Sequence, residues 1–477
     1  MPISINGSLS YSIYEDSTML FRKKINDLSL WKEKETTALL IDGARQVGKT
    51  TLIREFIKGF NRSIEIDFTK NAEALSLLLE IRNYEDFTNR LSIISPITLQ
   101  SRDDVLFLDE IQYYYEARAN RIKEDPTYKE RYIDIITLAK EIADRGQFRL
   151  ILSGSMLGTT LFSINLNPTG YLRKMTMYPM DFEEFLLASG IASGLIDEIK
   201  GYFHEKKPVP ESLHEYLLSK FREYIFVGGF PKAVECYLQD KTLELTSDAL
   251  SSIDLWYRED ISKYSEVSDR LVILEMYDIL ASEITMKNKK FVKSHLDLPN
   301  FKNLDLKDRF LWLKAAGIAI PTYNVTNPVV PLKISQDNKI VKLFMGDVGL
   351  LTYRLFDNAA KRKLIQDAKG IDLGAIYENA VAELLTGHGY PPYFQSTKKR
   401  GEIDFIIESN LKVIPIEIKA HGPDKQDGEF SHPALTNLLI DHPEIKESWL
   451  FGHTNIRYET PKICLFPIYM IDFVARD

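Results

Sequence analysis

Cysteine is nearly missing from this chain: its 477 residues include two, Cys236 and Cys464. Two thiols so far apart in sequence make neither a disulfide framework nor a metal-ligand spacing, and they fit buried positions in a reducing, cytoplasmic setting. Histidine is scarce as well. The eight residues are scattered, with no HExxH and no paired His/Cys cluster, which removes a recognisable zinc site. No run of eighteen apolar residues occurs, so no membrane span is expected. The opening MPISINGSLSYSIYEDS lacks the basic start and apolar stretch of a secretory signal. Positive charge is not in excess: the net charge of −8 argues against wholesale coating of nucleic acid, while a local basic groove stays open.

What is there is an ordinary globular composition, 44% hydrophobic and 27% charged, on a length that suggests about three domains. The first third alternates apolar runs with helical segments. Strands are predicted at Ala38–Ile41, Ser63–Phe68, Val105–Leu108, Arg149–Leu152 and Met175–Tyr178. The runs ALLI, VLFL and RLIL suit strands covered on both faces, and their alternation with helices predicts a mostly parallel sheet. From Pro179 to about Arg270 the pattern is helical. Asp181 and Glu184 have the spacing of a capping box, and Gly228, Gly229 and Pro231 break one helix and open the next.

Over Leu271 to Leu351, helices precede a hairpin pattern, PTYNVTNPVVPLKISQDNKIVKLF, which resembles a winged helix. The helix around Asp308–Ala316 is rich in apolar residues and offers only Lys307, Arg309 and Lys314 to a phosphate backbone. That composition favours packing against protein over reading DNA. From about Gly370 a helix, Leu373–Leu385, precedes strands near Pro392–Phe394, Glu402–Glu408, Val413–Ile418, Ser448–Phe451 and Ile463–Ile471.

The segment Gly43-Ala44-Arg45-Gln46-Val47-Gly48-Lys49-Thr50 matches GxxxxGK[ST] and lies between a buried strand and an amphipathic helix, the context this motif needs. About 0.02 chance matches are expected in a chain of this length. The glycines let the loop wrap a phosphate with its N–H groups inward. Lys49 reaches the β- and γ-phosphates, the Thr50 hydroxyl ligates Mg²⁺, and Thr51 continues the loop into the helix. The cofactors expected are therefore ATP and Mg²⁺. A second apolar strand ends in Asp109-Glu110, with Asp109 expected to hold Mg²⁺ and Glu110 to polarise the attacking water. A third runs into Ser153-Gly154-Ser155, where a hydroxyl would orient water or sense the γ-phosphate.

GARQVGKT, LFLDEIQ, LSGSM, MYPMDFEEFL and VGGFPKAV, followed by WLKAAGI, LFMGDVGLL and YENAVAELL, resemble a family of prokaryotic AAA+-type ATPases with a poorly characterised C-terminal region. The resemblance implies Gly48, Lys49 and Thr50 as phosphate and magnesium ligands, Asp109 and Glu110 as metal and water carboxylates, and Ser153 or Ser155 as sensor. One feature departs from it. Where relatives carry Gly-Arg before the YP segment this chain has Gly170-Tyr171, so neither Arg173, Arg222 nor Arg258 can be assigned as an arginine finger.

In KKRGEIDFIIESNLKVIPIEIKA, strand alternation puts Glu417 and Lys419 on one face of a hairpin, with Asp404 on the adjoining strand. This resembles the PD-(D/E)XK nuclease fold. Asp404 and Glu417 would hold Mg²⁺, Lys419 would support the attacking water, and Glu378 would be an accessory metal ligand from the preceding helix. Lys398, Lys399 and Arg400 lie beside it. Gathering three acids and one lysine predicts either a cation or a displaced carboxylate pKa.

The fold class expected is thus multi-domain α/β: a parallel-sheet P-loop ATPase core (1–178), a helical lid (179–270), a winged-helix-like domain (271–351) and a restriction-endonuclease-like α/β domain (370–477). The function expected is Mg²⁺-dependent ATP hydrolysis coupled to a nuclease-like domain acting on DNA or RNA. A nucleotide-controlled switch with an inactive nuclease-like domain is the alternative. A homo-oligomer stays open, and no membrane partner is expected.

Overall fold

The computed structural model describes residues 19–155, 170–263, 267–286, 289–297, 305–366, 372–399, 401–420 and 430–474. The chain divides into two compact units, Met1–Tyr178 with Ala315–Gly317, and Pro179–Lys314 with Ile318–Asp477.

The first unit is built on strands β1 (Ala38–Gly43), β2 (Arg62–Asp67), β3 (Asp104–Asp109), β4 (Arg149–Ser153) and β5 (Leu172–Met177). They lie in the order β2-β3-β4-β1-β5, and every pairing is parallel. β1 and β3 are buried along their whole length, as continuous apolar runs in a covered parallel sheet require. Leu40, Ile66, Leu106, Leu138 and Leu152 share one core with Ile111. Helix α1 (Lys49–Ile57) follows β1 and helix α2 (Ile111–Glu124) follows β3. Because β4 lies between β1 and β3, the carboxyl ends of these three strands meet at one edge, where open parallel sheets bind ligands. Gly43 is needed for a steric reason as well: with φ 143°, a Cβ there would overlap the Met177 carbonyl oxygen on β5.

The second unit opens with helix α3 (Phe182–Ala188). Its capping box is present, with the Asp181 carboxylate accepting from Glu184 N–H and the Glu184 side chain from Asp181 N–H. Helix α4 (Glu211–Val227) stops at Gly228, and Pro231 opens α5 (Pro231–Asp240). One eight-stranded sheet follows. Its strands are β6 (Ala319–Val325), β7 (Gln336–Met345), β8 (Tyr393–Thr397), β9 (Gly401–Ser409), β10 (Lys412–Ile418), β11 (Ser448–Gly452), β12 (Arg457–Thr460) and β13 (Ile463–Pro467), in the order β12-β13-β11-β10-β9-β8-β6-β7.

This topology corrects the winged-helix expectation. β6 and β7 do form a hairpin, but β6 also pairs in parallel with β8, Tyr323 opposite Tyr393, and Asn324 Oδ1 accepts from Ser396 N–H at 2.8 Å. The hairpin is the margin of the C-terminal sheet, and 271–351 is not a unit of its own. β6 is buried at six of seven positions, as an internal strand must be and a solvent-exposed wing would not. Nor is the helical segment 179–270 separate from this unit.

Helices α6 (Val348–Leu355) and α7 (Gly374–Gly387) tie it in. Asp347 caps α6 through Leu350 N–H and also accepts from Gly229 N–H, both at 2.7 Å. Glu383 on α7 accepts from Val348 N–H at 2.8 Å. Gly228 and Gly349 meet backbone to backbone, so that a Cβ on Gly228 would come 2.8 Å from the Gly349 Cα. Loss of solvation pushes Asp347 up to about 6 and Glu383 well above the usual carboxylate range.

Two further differences concern β-structure. The strand expected over Ile463–Ile471 ends at Pro467, which brings no N–H to the ladder, and the chain continues as a 3-10 helix, Ile468–Phe473. β12, with no buried position, has no apolar alternation to announce it. The hairpin between β9 and β10 turns tightly at Asn410 (φ 48°) and Leu411 (φ 58°). Two successive left-handed residues suit Asn and Gly, not Leu. Leu411 is 83% exposed, so its side chain contributes little packing. Leu411→Gly is expected to stabilise the chain by about 0.5 kcal/mol, relief of the left-handed penalty exceeding the extra chain entropy lost. A higher urea midpoint at unchanged m-value would show it.

Candidate functional site

The loop from Gly43 to Gly48 joins the end of β1 to the start of α1. Gly48 is left-handed (φ 91°) and so is Gln46 (φ 63°). Val47 is fully buried and Ala44 nearly so, while Arg45 is half-buried and Gln46 exposed. The Lys49 ammonium is buried and donates to the carbonyls of Gly43 (3.0 Å) and Ala44 (2.7 Å). Burial pushes Lys49 down to about 8, against the opposing pull of Glu110, Asp109 and Asp42. A desolvated ammonium at the mouth of a helix N-terminus gains from an entering phosphate.

The Thr50 hydroxyl donates to Asp109 Oδ2 at 2.8 Å. Ser153, at the end of β4, donates to Asp109 Oδ1. The sheet thus brings together a hydroxyl from α1, a carboxylate from β3 and a hydroxyl from β4. These are oxygen donors of the kind a hard, water-retaining Mg²⁺ takes, so the residues fit the ion the motif implies. Thr51 is exposed on α1.

Glu110 adopts a left-handed backbone (φ 54°, ψ 47°) at the N-cap of α2. Its carboxylate accepts from the Gln112 side-chain amide, and the same amide nitrogen donates to Ser155 Oγ at 3.2 Å. Ser155 therefore reaches Glu110 through Gln112, a residue that reading the sequence did not single out although it stands two places after Glu110. Arg22 was also missed. Its guanidinium donates to the Val47 carbonyl and to the Tyr178 carbonyl, the latter at 2.6 Å, and no motif marks it. Of the arginines considered as fingers, Arg173 pairs with Glu35, and Arg258 pairs with Asp254 (3.0 Å) and Asp278 (2.7 Å).

In the second unit, β9 and β10 are antiparallel with Ile416 opposite Phe405. The next register position sets Glu417 opposite Asp404, and cross-strand partners share a face. Asp404 Oδ2 accepts from Ile418 N–H at 2.8 Å. Lys419 Nζ lies 2.6 Å from Glu417 Oε1 and donates to the Ser431 carbonyl at 2.6 Å. Glu378 comes from α7, with Oε1 on Lys289 and Oε2 3.6 Å from Lys342 Nζ. Lys342 on β7 is fully buried and lies 2.7 Å from Glu402 Oε1. Lys290 lies 3.4 Å from Glu402 Oε2. Glu378 Oε2 and Glu417 Oε2 are buried without a hydrogen-bond partner among the described residues.

Expecting three acids around one lysine was incomplete. Lys289, Lys290 and Lys342 join Lys419 against Glu378, Glu402 and Glu417, with Asp404 within the electrostatic reach of Lys342. Lys342 enters from β7, and Lys289 and Lys290 from the chain ahead of the helix Lys307–Ala315, segments assigned in sequence to another domain. Lys398 and Lys399 are exposed nearby in sequence, and Arg400 lies outside the described residues.

Even so, Asp404 is pushed up to about 7, first by loss of solvation, then by Glu378, with Glu417 adding to the effect and Lys342 opposing it. A raised carboxylate pKa favours the folded chain below its unfolded value of about 4, and that advantage disappears as pH rises through about 7. Asp404→Asn keeps an acceptor for Ile418 N–H and does not titrate. The variant should therefore lose less stability than the parent between pH 5 and 8, read as urea midpoints in metal-free buffer. Parallel curves would contradict this.

Asp181, His388 and Asp472 also lie close together. They are committed to capping α3, to Glu183 N–H at 2.7 Å and to each other at 2.8 Å.

Comparison with known families matches residues 35–186 to an AAA domain. Residues 218–361 and 373–469 match two domains of unknown function, DUF8612 and DUF4143. No curated protein sequence matches the chain. Among solved structures, a Walker-type ATPase of Pyrococcus abyssi is 16% identical, with 71% of this chain and 96% of that one covered at a TM-score of 0.41. The Drosophila ORC bound to DNA is 14% identical, covering 68% and 92% at a TM-score of 0.27. A signal-transduction ATPase with numerous domains from Pyrococcus horikoshii, carrying a tetratricopeptide repeat sensor, is 12% identical over 77% and 45% at 0.23. Overlaps this loose carry no argument about function. The AAA match and the P-loop make the first unit an AAA-type, nucleotide-binding ATPase domain. No helix among the described residues is long and apolar enough to cross a membrane.

Proposed function

We propose that this chain is a Mg²⁺-dependent ATP hydrolase whose second unit carries a nuclease-type divalent-cation centre acting on nucleic acid. For the ATPase, the carrying observation is the convergence of Lys49, Thr50, Asp109 and Ser153 at one sheet edge. Bound Mg²⁺ supplies positive charge to the β- and γ-phosphates. Lys49 turns its ammonium from the loop carbonyls to the phosphates, and the N–H groups of the loop and of α1 cradle them. Thr50 and Asp109 would hold the ion, and Ser153 fixes the Asp109 carboxylate. Glu110 orients the attacking water and accepts its proton as the bond from the γ-phosphorus to ADP breaks.

For the second centre, the carrying observation is Asp404 on β9 accepting from Ile418 N–H of β10, next to Glu417, whose Oε2, like that of Glu378, is buried without a hydrogen-bond partner among the described residues. Hard carboxylate oxygens suit Mg²⁺ or Mn²⁺, and Lys419 stands beside them to stabilise developing charge. One observation favours the second reading, a nucleotide-controlled switch with an inactive nuclease-like domain: four lysines already pair with three of the four carboxylates, Glu378, Glu402 and Glu417. Plasmid DNA, single-stranded DNA and RNA incubated with purified chain and Mg²⁺ or Mn²⁺ separate the two. The proposal expects cleavage that Asp404→Ala/Lys419→Ala abolishes. Cleavage that survives both changes would remove this site from the reaction. Metal-dependent binding without cleavage would leave the switch.

A further inference from the structure

We propose that Gln112 is a positioning residue for ATP hydrolysis: its side-chain amide links the Glu110 carboxylate to the Ser155 hydroxyl, so that the end of β4 sets the orientation of the proton-accepting group. The proposal rests on Glu110 as that group. Gln112 lies in the first turn of α2 and is buried. Its two amide hydrogens are both used, one on Glu110 Oε2 and one on Ser155 Oγ. Its Oε1 is buried with no hydrogen-bond partner among the described residues. A residue present for packing alone would be better served by Leu or Met, because an unpaired buried acceptor costs stability.

The geometry gives the amide a mechanical role. Glu110 has a left-handed backbone, so its side chain leaves the chain in one fixed direction. A donor on Oε2 fixes the remaining rotation and leaves Oε1 to receive the proton from water. A base fixed in that way reacts faster than one that samples several rotamers. The second anchor makes this sensitive to the nucleotide. Ser155 follows β4, and two residues earlier Ser153 holds Asp109. Two hydroxyls, one at the end of β4 and one just beyond it, thus reach the adjacent carboxylates where β3 ends, Asp109 directly and Glu110 through Gln112. A Ser155 hydroxyl that turns toward a γ-phosphate changes the hold on the amide, and through it on the carboxylate.

The test is single-turnover hydrolysis, with equilibrium binding of a fluorescent ATP analogue measured alongside. Gln112→Met keeps length and burial and removes both donors. Hydrolysis should fall about 10-fold while nucleotide affinity changes less than about twofold. Ser155→Ala, which leaves the Glu110–Gln112 bond in place, should fall less. In a Glu110→Gln background, where no carboxylate remains to be positioned, Gln112→Met should have no further effect. A merely structural role would slow both backgrounds alike. Wild-type hydrolysis by Gln112→Met, a further loss from Gln112→Met in the Glu110→Gln background, or loss of nucleotide affinity would each overturn the proposal. Wild-type hydrolysis by Glu110→Gln itself would instead overturn the reading of Glu110.

Discussion

Lys49→Ala lowers ATP affinity by about 100-fold or more, and Glu110→Gln leaves affinity intact while slowing hydrolysis by about 100- to 1,000-fold. The two changes separate because the groups act at different stages. Lys49 is the buried cation of the loop, held by the carbonyls of Gly43 and Ala44 until an anion arrives. Without it the phosphates meet only N–H groups, with Asp42, Asp109 and Glu110 nearby as unfavourable charges. In the proposed mechanism Glu110 accepts a proton that moves only during reaction. Its amide replacement keeps shape, can still accept from Gln112, and has no basicity. Nucleotide titration and phosphate release, measured on both variants, decide the matter. Equal loss of affinity in both would mean that Glu110 supports binding and has no separate part in turnover.

The largest stability effect is expected at Gly349→Ala. Alanine is the better helix former by about 1 kcal/mol, so in an open helix the change would stabilise. Here the new Cβ would lie inside contact distance of the Gly228 backbone and the Val227 carbonyl oxygen. Backbone cannot turn aside as a side chain can, and Asp347 holds both sides of the contact through Gly229 and Leu350 N–H. Overpacking costs about 3 kcal/mol or more in such a site, outweighing the helix preference. Gly201→Ala serves as the contrast: it lies inside the helix Ser193–Glu205 with nothing near its added Cβ, and should stabilise by about 0.5–1 kcal/mol. Denaturation midpoints of opposite sign for the two changes are the expected result. A stabilising Gly349→Ala would show that the two glycine motifs are not in contact.

The parallel core could be read from the sequence because its signals are local. ALLI, VLFL and RLIL are short apolar runs ending in chemistry, and β1, β3 and β4 lie where those runs predict. The capping box of Asp181 and Glu184 is also a pattern within four residues. The hairpin of β9 and β10 about Asn410 is local in the same way, with Ile416 opposite Phe405. What failed depended on pairings made at long range. β6 as a hairpin strand is legible, but its parallel pairing with β8 joins residues 70 apart, Tyr323 and Tyr393, and leaves no periodicity to find. The lysines of the carboxylate centre were hidden for the same reason. Lys342 alternates within an ordinary strand pattern, and nothing local says that its ammonium is buried beside Glu402 and Glu378. Gln112 was legible in principle, two residues past Glu110 at a helix start, where a side chain can fold back.

Divalent-cation binding to the second unit tests the central claim most directly. Mn²⁺ titrated into the whole chain without nucleotide, followed by electron paramagnetic resonance, should show a bound ion that persists in Asp109→Asn and is lost in Asp404→Asn/Glu417→Gln. No bound ion, or one that the Asp404→Asn/Glu417→Gln change leaves in place, would contradict the account.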